Sequence, residues 1–232
     1  MKRNSQEANP HKGHRENVRR RFMTGGLEVF APHEILELIL FFAIPQKDTN
    51  PLAHRLIDTF GSLPRVLSAS VEELKAVEGV GERVAVLLTL VFQVGRWTRL
   101  RRIEESVSDF RSPEVLGAYF REIFAGQEKE AVYEMCLNAR GNIIVCPRMS
   151  NGNVLSVSLD VRAMVEKAIL SNCASVVIAH NHPGGDSHPS REDYDATRII
   201  KAAFSDVNIR LLDHIIVGED DFVSLREIGF LD

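Results

Sequence analysis

In the stretch IAHNHPGGDSHPSRED, residues 178–193, an apolar run leads into two histidines one residue apart, crosses a turn rich in Pro and Gly, and ends at an acid. Neutral imidazoles and a carboxylate are good ligands for a borderline divalent ion such as zinc, and a catalytic zinc keeps three protein ligands and one open position for water. His180 and His182 are two apart, so in an extended segment both rings leave on the same side. Pro183, Gly184 and Gly185 turn the chain, and Asp193, in the first turn of a following helix, can return as the third ligand. The spacing is His-x-His-x7-Ser-x2-Asp.

A plainer account competes with the metal. Histidines after a strand end can be hydrogen-bonded surface residues, and Ser190 followed three residues on by Asp193 has the form of a helix N-cap. The cap explains Ser190 and Asp193 but not the paired histidines, and a carboxylate given to a metal is expected to serve the cap only in part. His188, Asp186, Asp195 and Asp213 read as turn, cap or fold-supporting groups. His214, alternating with apolar neighbours, reads as a partnered fold residue.

The elements that must hold this loop follow from periodicity. Residues 161–169 carry Val161, Met164, Val165, Ala168 and Ile169 on one helical stripe, VVIA is a buried strand, and a helix runs from Ser190 through Ala203. NIRLLDHIIVG and DFVSL supply further strands. Upstream, Ser112-Pro113-Glu114 starts a helix to about Phe124, and AVYEMCLNARGNIIVC alternates around Asn138–Asn142, a hairpin signal. Strands interleaved with helices imply an α/β or α+β domain with a central sheet over 110–232.

The first half is different in kind. From Pro32 to about Leu100 the apolar spacing is helical, punctuated by Pro45, Gly61 and a capping box, Ser70 with Glu73, that opens SVEELKAV. After Glu78-Gly79-Val80-Gly81 comes one more amphipathic helix, ERVAVLLTLVFQVGRW. A compact all-α domain is expected over 26–102, preceded by a basic, mobile tail over 1–25 and followed by a charged linker, Ile103 to Asp109.

With 232 residues, 44% hydrophobic and 26% charged, the chain has the composition of a soluble globular protein large enough for two small domains. No apolar run approaches the roughly 20 residues of a membrane span, and the basic N-terminus lacks the apolar core of a secretory signal, so a cytoplasmic location is expected. Cys136, Cys146 and Cys173 show no CxxC spacing, which argues against a disulfide framework or a cysteine-based zinc site. The net charge of −4 hides a basic first segment and a cluster of Arg96, Trp97, Arg99, Arg101 and Arg102. Such patches suit phosphate backbones, or they are solvated helix ends.

The four-residue pattern resembles the JAMM motif of the JAB/MPN metalloprotease superfamily. HNHPGGD-x2-PS-x2-D together with LLDHIIVG is similar to the bacterial RadC family, and FGSLPRVLSASVEELKAVEGVGERVA is similar to the helix-hairpin-helix segment that precedes the JAB-like domain there. The resemblance covers almost the whole chain. One departure is Gly184, where the family usually has Ser; it leaves the ligands untouched and predicts a looser loop.

The resemblance implies a small N-terminal helix-hairpin-helix domain followed by a JAB/MPN domain, a mixed sheet of cytidine-deaminase-like type with flanking helices. It implies Zn2+ held by His180, His182 and Asp193, Ser190 steadying a developing oxyanion, and a glutamate from an upstream strand as general base. The implied reaction is hydrolysis of peptide or isopeptide-like amide bonds in a protein substrate. The alternative is a DNA-repair-associated DNA- or protein-binding module whose metal site is structural or inactive. A zinc deaminase would need His-x-Glu with Pro-Cys-x-x-Cys, and the helical metalloproteases need HExxH; neither is present. A helix-hairpin-helix glycosylase would leave the histidines unexplained.

Two glutamates compete for the base. Glu130 and Glu134 are an even number apart, so alternation along a strand over 130–137 cannot separate them. Glu134 lies mid-strand, where a carboxylate is buried unless paired, while Glu130 sits at the strand entrance, where a cleft admits substrate and water. The resemblance points the same way, and Glu130 is the expected base; a merely solvated charge in QEKE is the plain alternative. In the N-terminal half, Gly79 and Gly81 allow close backbone approach to a DNA phosphate with Arg83 beside them, or they only make a tight turn between helices.

Overall fold

The computed structural model describes residues 10–150 and 160–231. They fall into two compact units, one reaching Gly95 and one starting at Arg96.

The first unit is helical: α1 (Pro10–Gly25), α2 (Pro32–Ala43), α3 (Asn50–Phe60), α4 (Leu63–Ser68), α5 (Val71–Ala76) and the first half of α6 (Glu82–Ser106). Leu36 and Leu40 of α2, Leu52 and Leu56 of α3, Val66, Leu74, and Val84 and Leu88 of α6 form one buried cluster. The Ser70 cap is closed reciprocally: Ser70 Oγ accepts from the Glu73 amide at 3.2 Å, and the Glu73 carboxylate accepts from the Ser70 amide at 2.8 Å. Val77 and Val80 are buried on either side of the exposed Glu78-Gly79 turn, which fixes α5 against α6.

Two expectations are corrected here. Residues 10–25, read as part of a mobile tail, form α1; residues 1–9 of that segment lie outside the described residues. Two of its arginines, Arg15 and Arg21, are taken up by α2 and the segments flanking it. Val18 is buried with Phe30, Leu38 and Phe41. Arg15 stacks over Phe41 at 4.5 Å and donates to the carbonyls of Ile44 and Lys47, and Arg21 pairs with Glu34 at 2.8 Å. Such stems cover apolar surface while their heads find acceptors. The charged linker from Ile103 is likewise helical as far as Ser106. Leu100 and Ile103 pack on the core of the second unit, and the charges of that turn are paired, Arg101 with Glu104 at 2.6 Å and Arg99 with Glu122 at 2.7 Å. Charge alone did not end the helix, because neither Gly nor Pro interrupts residues 96–106.

The second unit is a mixed sheet with helices. After α7 (Pro113–Phe124) come β1 (Val132–Leu137), β2 (Ile143–Val145), β3 (Arg148–Ser150), α8 (Val161–Leu170), β4 (Ser175–Asn181), α9 (Arg191–Ser205), β5 (Arg210–Val217) and β6 (Phe222–Ser224). The sheet order is β2-β1-β4-β5-β6, with β3 also pairing β1. β1 runs antiparallel and β5 parallel to β4. Val132, Cys136, Val176 and Ile178 face Met164, Ala168, Ala196 and Ile200 of α8 and α9, while Met135, Leu137, Val177, Ala179 and Ile215 face Leu116, Phe120 and Phe124 of α7. Covered on both faces, β4 reads as an unbroken apolar run. Among the described residues no helix is long and apolar enough to cross a membrane, and the three cysteines are free.

A candidate metal centre at the end of the central strand

Sheet register decides what meets at the loop. Val132 at the start of β1 pairs with His180 near the end of β4, and His180 pairs in turn with Ile216 of β5. The antiparallel β1 therefore begins where β4 ends, which brings the segment carrying Glu130 beside the two histidines. The His182 amide donates to the Val217 carbonyl at 2.8 Å, and the Glu219 amide to that of Gly185 at 3.0 Å, pinning the loop to the β5–β6 turn. Gly218 permits that approach: a Cβ there would stand 2.7 Å from the Ser187 amide nitrogen and 2.7 Å from Asp221 Oδ1. Gly184 has φ +67°, a left-handed conformation that serine adopts poorly. The departure at this position suits the turn the chain makes.

The sequence spacing brings three ligand-type side chains together. One atom from each of His180, His182 and Asp193 lies within 4.8 Å of the others. The two Nε2 atoms are 3.0 Å apart, Asp193 Oδ1 is 3.1 Å from His180 Nε2, and Asp193 Oδ2 is 3.5 Å from His182 Nε2. Two nitrogens bound to a tetrahedral zinc at about 2.0–2.1 Å would stand roughly 3.3 Å apart, so this spacing fits such an ion. His182 Nδ1 is 3.0 Å from the Asp186 carbonyl, which can only accept, so in the neutral ring Nε2 carries the lone pair.

The two oxygens of Asp193 divide between the cap of α9 and the histidines. Its Oδ2 accepts from the Ser190 amide at 2.8 Å and the Ser190 hydroxyl at 2.7 Å, closing the capping box of α9, while Oδ1 faces His180. Burial opposes its ionisation, but hydrogen bonds from His180, His182 and Ser190 override it and hold the carboxyl far below the usual range. The His182 imidazole is shifted upward, first by its hydrogen bond with Asp193, against the effect of burial, and further by the charges of Asp193 and Glu130.

Glu130 is half-buried and precedes β1 rather than opening it, a correction to the expected strand over 130–137. Its charge is felt at His182. Glu134 is fully buried on the face toward α8, its Oε1 3.5 Å from Cys136 Sγ and its Oε2 without a partner among the described residues. Burial pushes its carboxyl up to about 7. His188 pairs with Asp186 at 3.5 Å on the surface, Asp195 with Arg198 at 2.7 Å, and the buried Asp213 accepts from Ser224 Oγ at 2.6 Å and the His214 amide at 2.7 Å. These are the turn, cap and fold roles read from sequence.

Sequence reasoning missed the role of Asn181 and the partners of His214. Asn181, between the histidines, points to the other face; its Oδ1 accepts from the Ala131 amide at 2.8 Å, and its Nδ2 donates to the Lys129 carbonyl at 3.3 Å, clasping the backbone on both sides of Glu130. Alternation gives its face, but nothing local gives a partner fifty residues away. His214 is no ordinary fold residue, because its Nε2 lies 2.8 Å from His180 Nδ1 and its Nδ1 2.6 Å from Thr197 Oγ1. Burial, and then the His180 charge, push the His214 imidazole well below its ordinary value.

In the first unit, Gly79 has φ +93°, and Arg55 donates to the Glu78 carbonyl at 2.7 Å, closing the turn from behind. Gly81 has open space where a side chain would project, and Glu82 and Arg83 are exposed at the start of α6.

Comparison with known proteins agrees with this arrangement. Residues 110–230 match the family model described as RadC-like JAB domain. The chain is 37% identical over 219 residues to a UPF0758 protein of Ruegeria pomeroyi, covering 94% of this chain and 97% of that one. It is 35% identical over 215 residues to a UPF0758 protein of Rhodobacter capsulatus, covering 92% and 100%, and 30% identical over 225 residues to one of Fusobacterium nucleatum, covering 94% and 97%. A sheet whose central strand delivers two histidines to an acid on the next helix, inside a full-length match of this kind, places the chain in the RadC (UPF0758) family of the JAB/MPN superfamily.

Proposed function

We propose that the C-terminal unit is a zinc-dependent hydrolase of peptide or isopeptide-like amide bonds. The observation that carries this reading is the convergence of His180 Nε2, His182 Nε2 and an Asp193 carboxylate oxygen, with Glu130 near enough for its charge to act on His182. Two neutral imidazoles and one carboxylate would hold zinc and leave a position open. Bound there, zinc would supply Lewis acidity toward a substrate carbonyl and toward water. Glu130 takes the proton of the attacking water and returns it to the leaving amine. The Ser190 hydroxyl is the nearby donor for a developing oxyanion, once it turns from Asp193.

The test is elemental analysis of the full chain purified with zinc offered, beside His182→Ala, followed by hydrolysis of a quenched peptide and isopeptide library with and without chelator. About one zinc per chain, lost in the variant, together with chelator-sensitive cleavage, supports the reading. No stoichiometric metal sinks it.

A second reading has its own support. The Ser190 hydroxyl is engaged by Asp193, and the N-terminal unit carries an αα turn at Gly79-Val80-Gly81 that we read as a helix-hairpin-helix. On that reading the chain is a DNA-associated binding module whose metal site is structural. Zinc retained without cleavage of any amide substrate would favour it.

A further inference from the structure

We infer that Asn181 is a positioning residue: its carboxamide stands in for a missing piece of β-ladder and so holds Glu130 beside the histidine cluster. This rests on the reading of Glu130 as the proton acceptor of the proposed hydrolase.

The pairing of β1 with β4 begins at Val132, opposite His180. Carried further in the same antiparallel register, it would set Ala131 opposite Asn181 and Glu130 opposite His182. The ladder stops short because β4 turns away. The His182 amide goes to the Val217 carbonyl of β5, and Pro183, next in the chain, has no amide to give. Residues 128–131 therefore lie outside the strands, although Ala131 is fully buried. A buried amide without an acceptor is costly. The Asn181 carboxamide, itself buried, supplies what the backbone of β4 no longer can: Oδ1 accepts from the Ala131 amide at 2.8 Å, and Nδ2 donates to the Lys129 carbonyl at 3.3 Å. An amide nitrogen can only donate and a carbonyl only accept, so these partners fix which way the carboxamide faces.

The two bonds grip the peptide groups on either side of Glu130. Its Cα is thereby tied to β4 through one planar group, and its side chain leaves on the face opposite to Asn181, where the histidines stand. The charge of Glu130 is felt at His182, as that placement requires. Asn181 sits between His180 and His182, so the segment that delivers the imidazoles also sets the place of the acid. The side chain suits the task by its chemistry. Asp has the same shape but no donor for Lys129, and Ser has one hydroxyl where two partners wait.

The test uses the full chain and has an arm that needs neither metal nor substrate. Amide hydrogen exchange should find the Ala131 amide protected in the wild type and exposed in Asn181→Ala, with the amides of β1 unchanged. An Ala131 amide that exchanges freely in the wild type, or that the substitution leaves unmoved, overturns the inference. In the second arm, on a substrate from the peptide and isopeptide library, Asn181→Ala should lower kcat about 100-fold with KM and bound zinc unchanged. Glu130→Gln added to Asn181→Ala should cost far less than it does alone, because groups that act as a unit are not additive. Full additivity, or a rise in KM with kcat kept, makes Asn181 a residue of the fold alone and overturns the inference. Asn181→Asp, which loses only the donor, should fall between wild type and Asn181→Ala in both arms, and it carries the test should Asn181→Ala fail to fold; an Asn181→Asp chain identical to wild type in both arms overturns the inference. The expected exchange pattern in a zinc-loaded chain that cleaves nothing refutes the hydrolase reading and leaves the hold of Asn181 on Glu130 standing.

Discussion

Ser190 gives both its amide and its hydroxyl to one oxygen of Asp193, so the cap of α9 and the acid of the histidine cluster are the same group. Asp193→Ala should therefore do two kinds of damage, abolishing zinc uptake and fraying the start of α9. Ser190→Ala should do only the second, costing about 1 kcal/mol in chemical denaturation while zinc stoichiometry stays at the wild-type value. Loss of zinc from the Ser190 variant would mean that the cap holds Asp193 in place more firmly than its own packing does.

The two glutamates should separate in function. Glu130→Gln should end amide cleavage with zinc retained, because a proton acceptor beside the metal is not one of its ligands. Glu134→Gln should cleave normally, since its side chain lies on the buried face toward α8. Activity lost in the Glu134 variant and kept in the Glu130 variant, with zinc present in both, would move the role from Glu130 to Glu134.

Glu134 should instead appear in the pH dependence of stability. Its folded value of about 7 lies above the ordinary 4.5, so the unfolded chain ionises first. Sign follows from linkage: the folded state binds more protons between these values, so stability falls as pH rises from about 4.5 through about 7 and then levels. The loss is on the order of 3 kcal/mol. Glu134→Leu should flatten this slope and be more stable than wild type under alkaline conditions, measured by denaturant titration across the range. A wild-type curve flat over that interval would show that the carboxyl finds a partner.

Much of this was legible in sequence for a local reason. The Ser70–Glu73 box, the hairpin at Asn138–Gly141 and the apolar run of β4 are written in adjacent residues, and the loop's spacing reports a strand end and a helix start that the sheet brings together. What escaped depends on register. Neither the clasp of Asn181 on residues 129–131 nor the contact of His214 with His180 follows from spacing, because both need the order β1-β4-β5. The basic N-terminal segment was misjudged because a charge count cannot see that Phe41 and the carbonyls after α2 take up Arg15.

That docking sharpens the expectation for DNA. Of the arginines in the first segment, Arg15 is buried and bound to two carbonyls, and Arg21 pairs with Glu34, so neither is free for a phosphate. Arg83, exposed at the start of α6 beside the open Gly81, is the cation placed at the hairpin, and Glu82 opposes it. Any duplex binding by the full chain should be weak, independent of sequence, and shallow in salt dependence, because each phosphate neutralised contributes only about 0.9 to the slope of log K against log salt. Arg83→Gln should lower that slope by about one phosphate's worth and leave stability within about 0.5 kcal/mol of wild type, as for an exposed site. Arg15→Ala should behave in the opposite way, costing roughly 1–3 kcal/mol of stability by stripping two carbonyls of their donor, with the salt slope unchanged. Absence of binding at low salt, or a slope indifferent to Arg83, would remove the hairpin from consideration as a phosphate contact and leave it as the tight turn between α5 and α6 that Arg55 closes from behind.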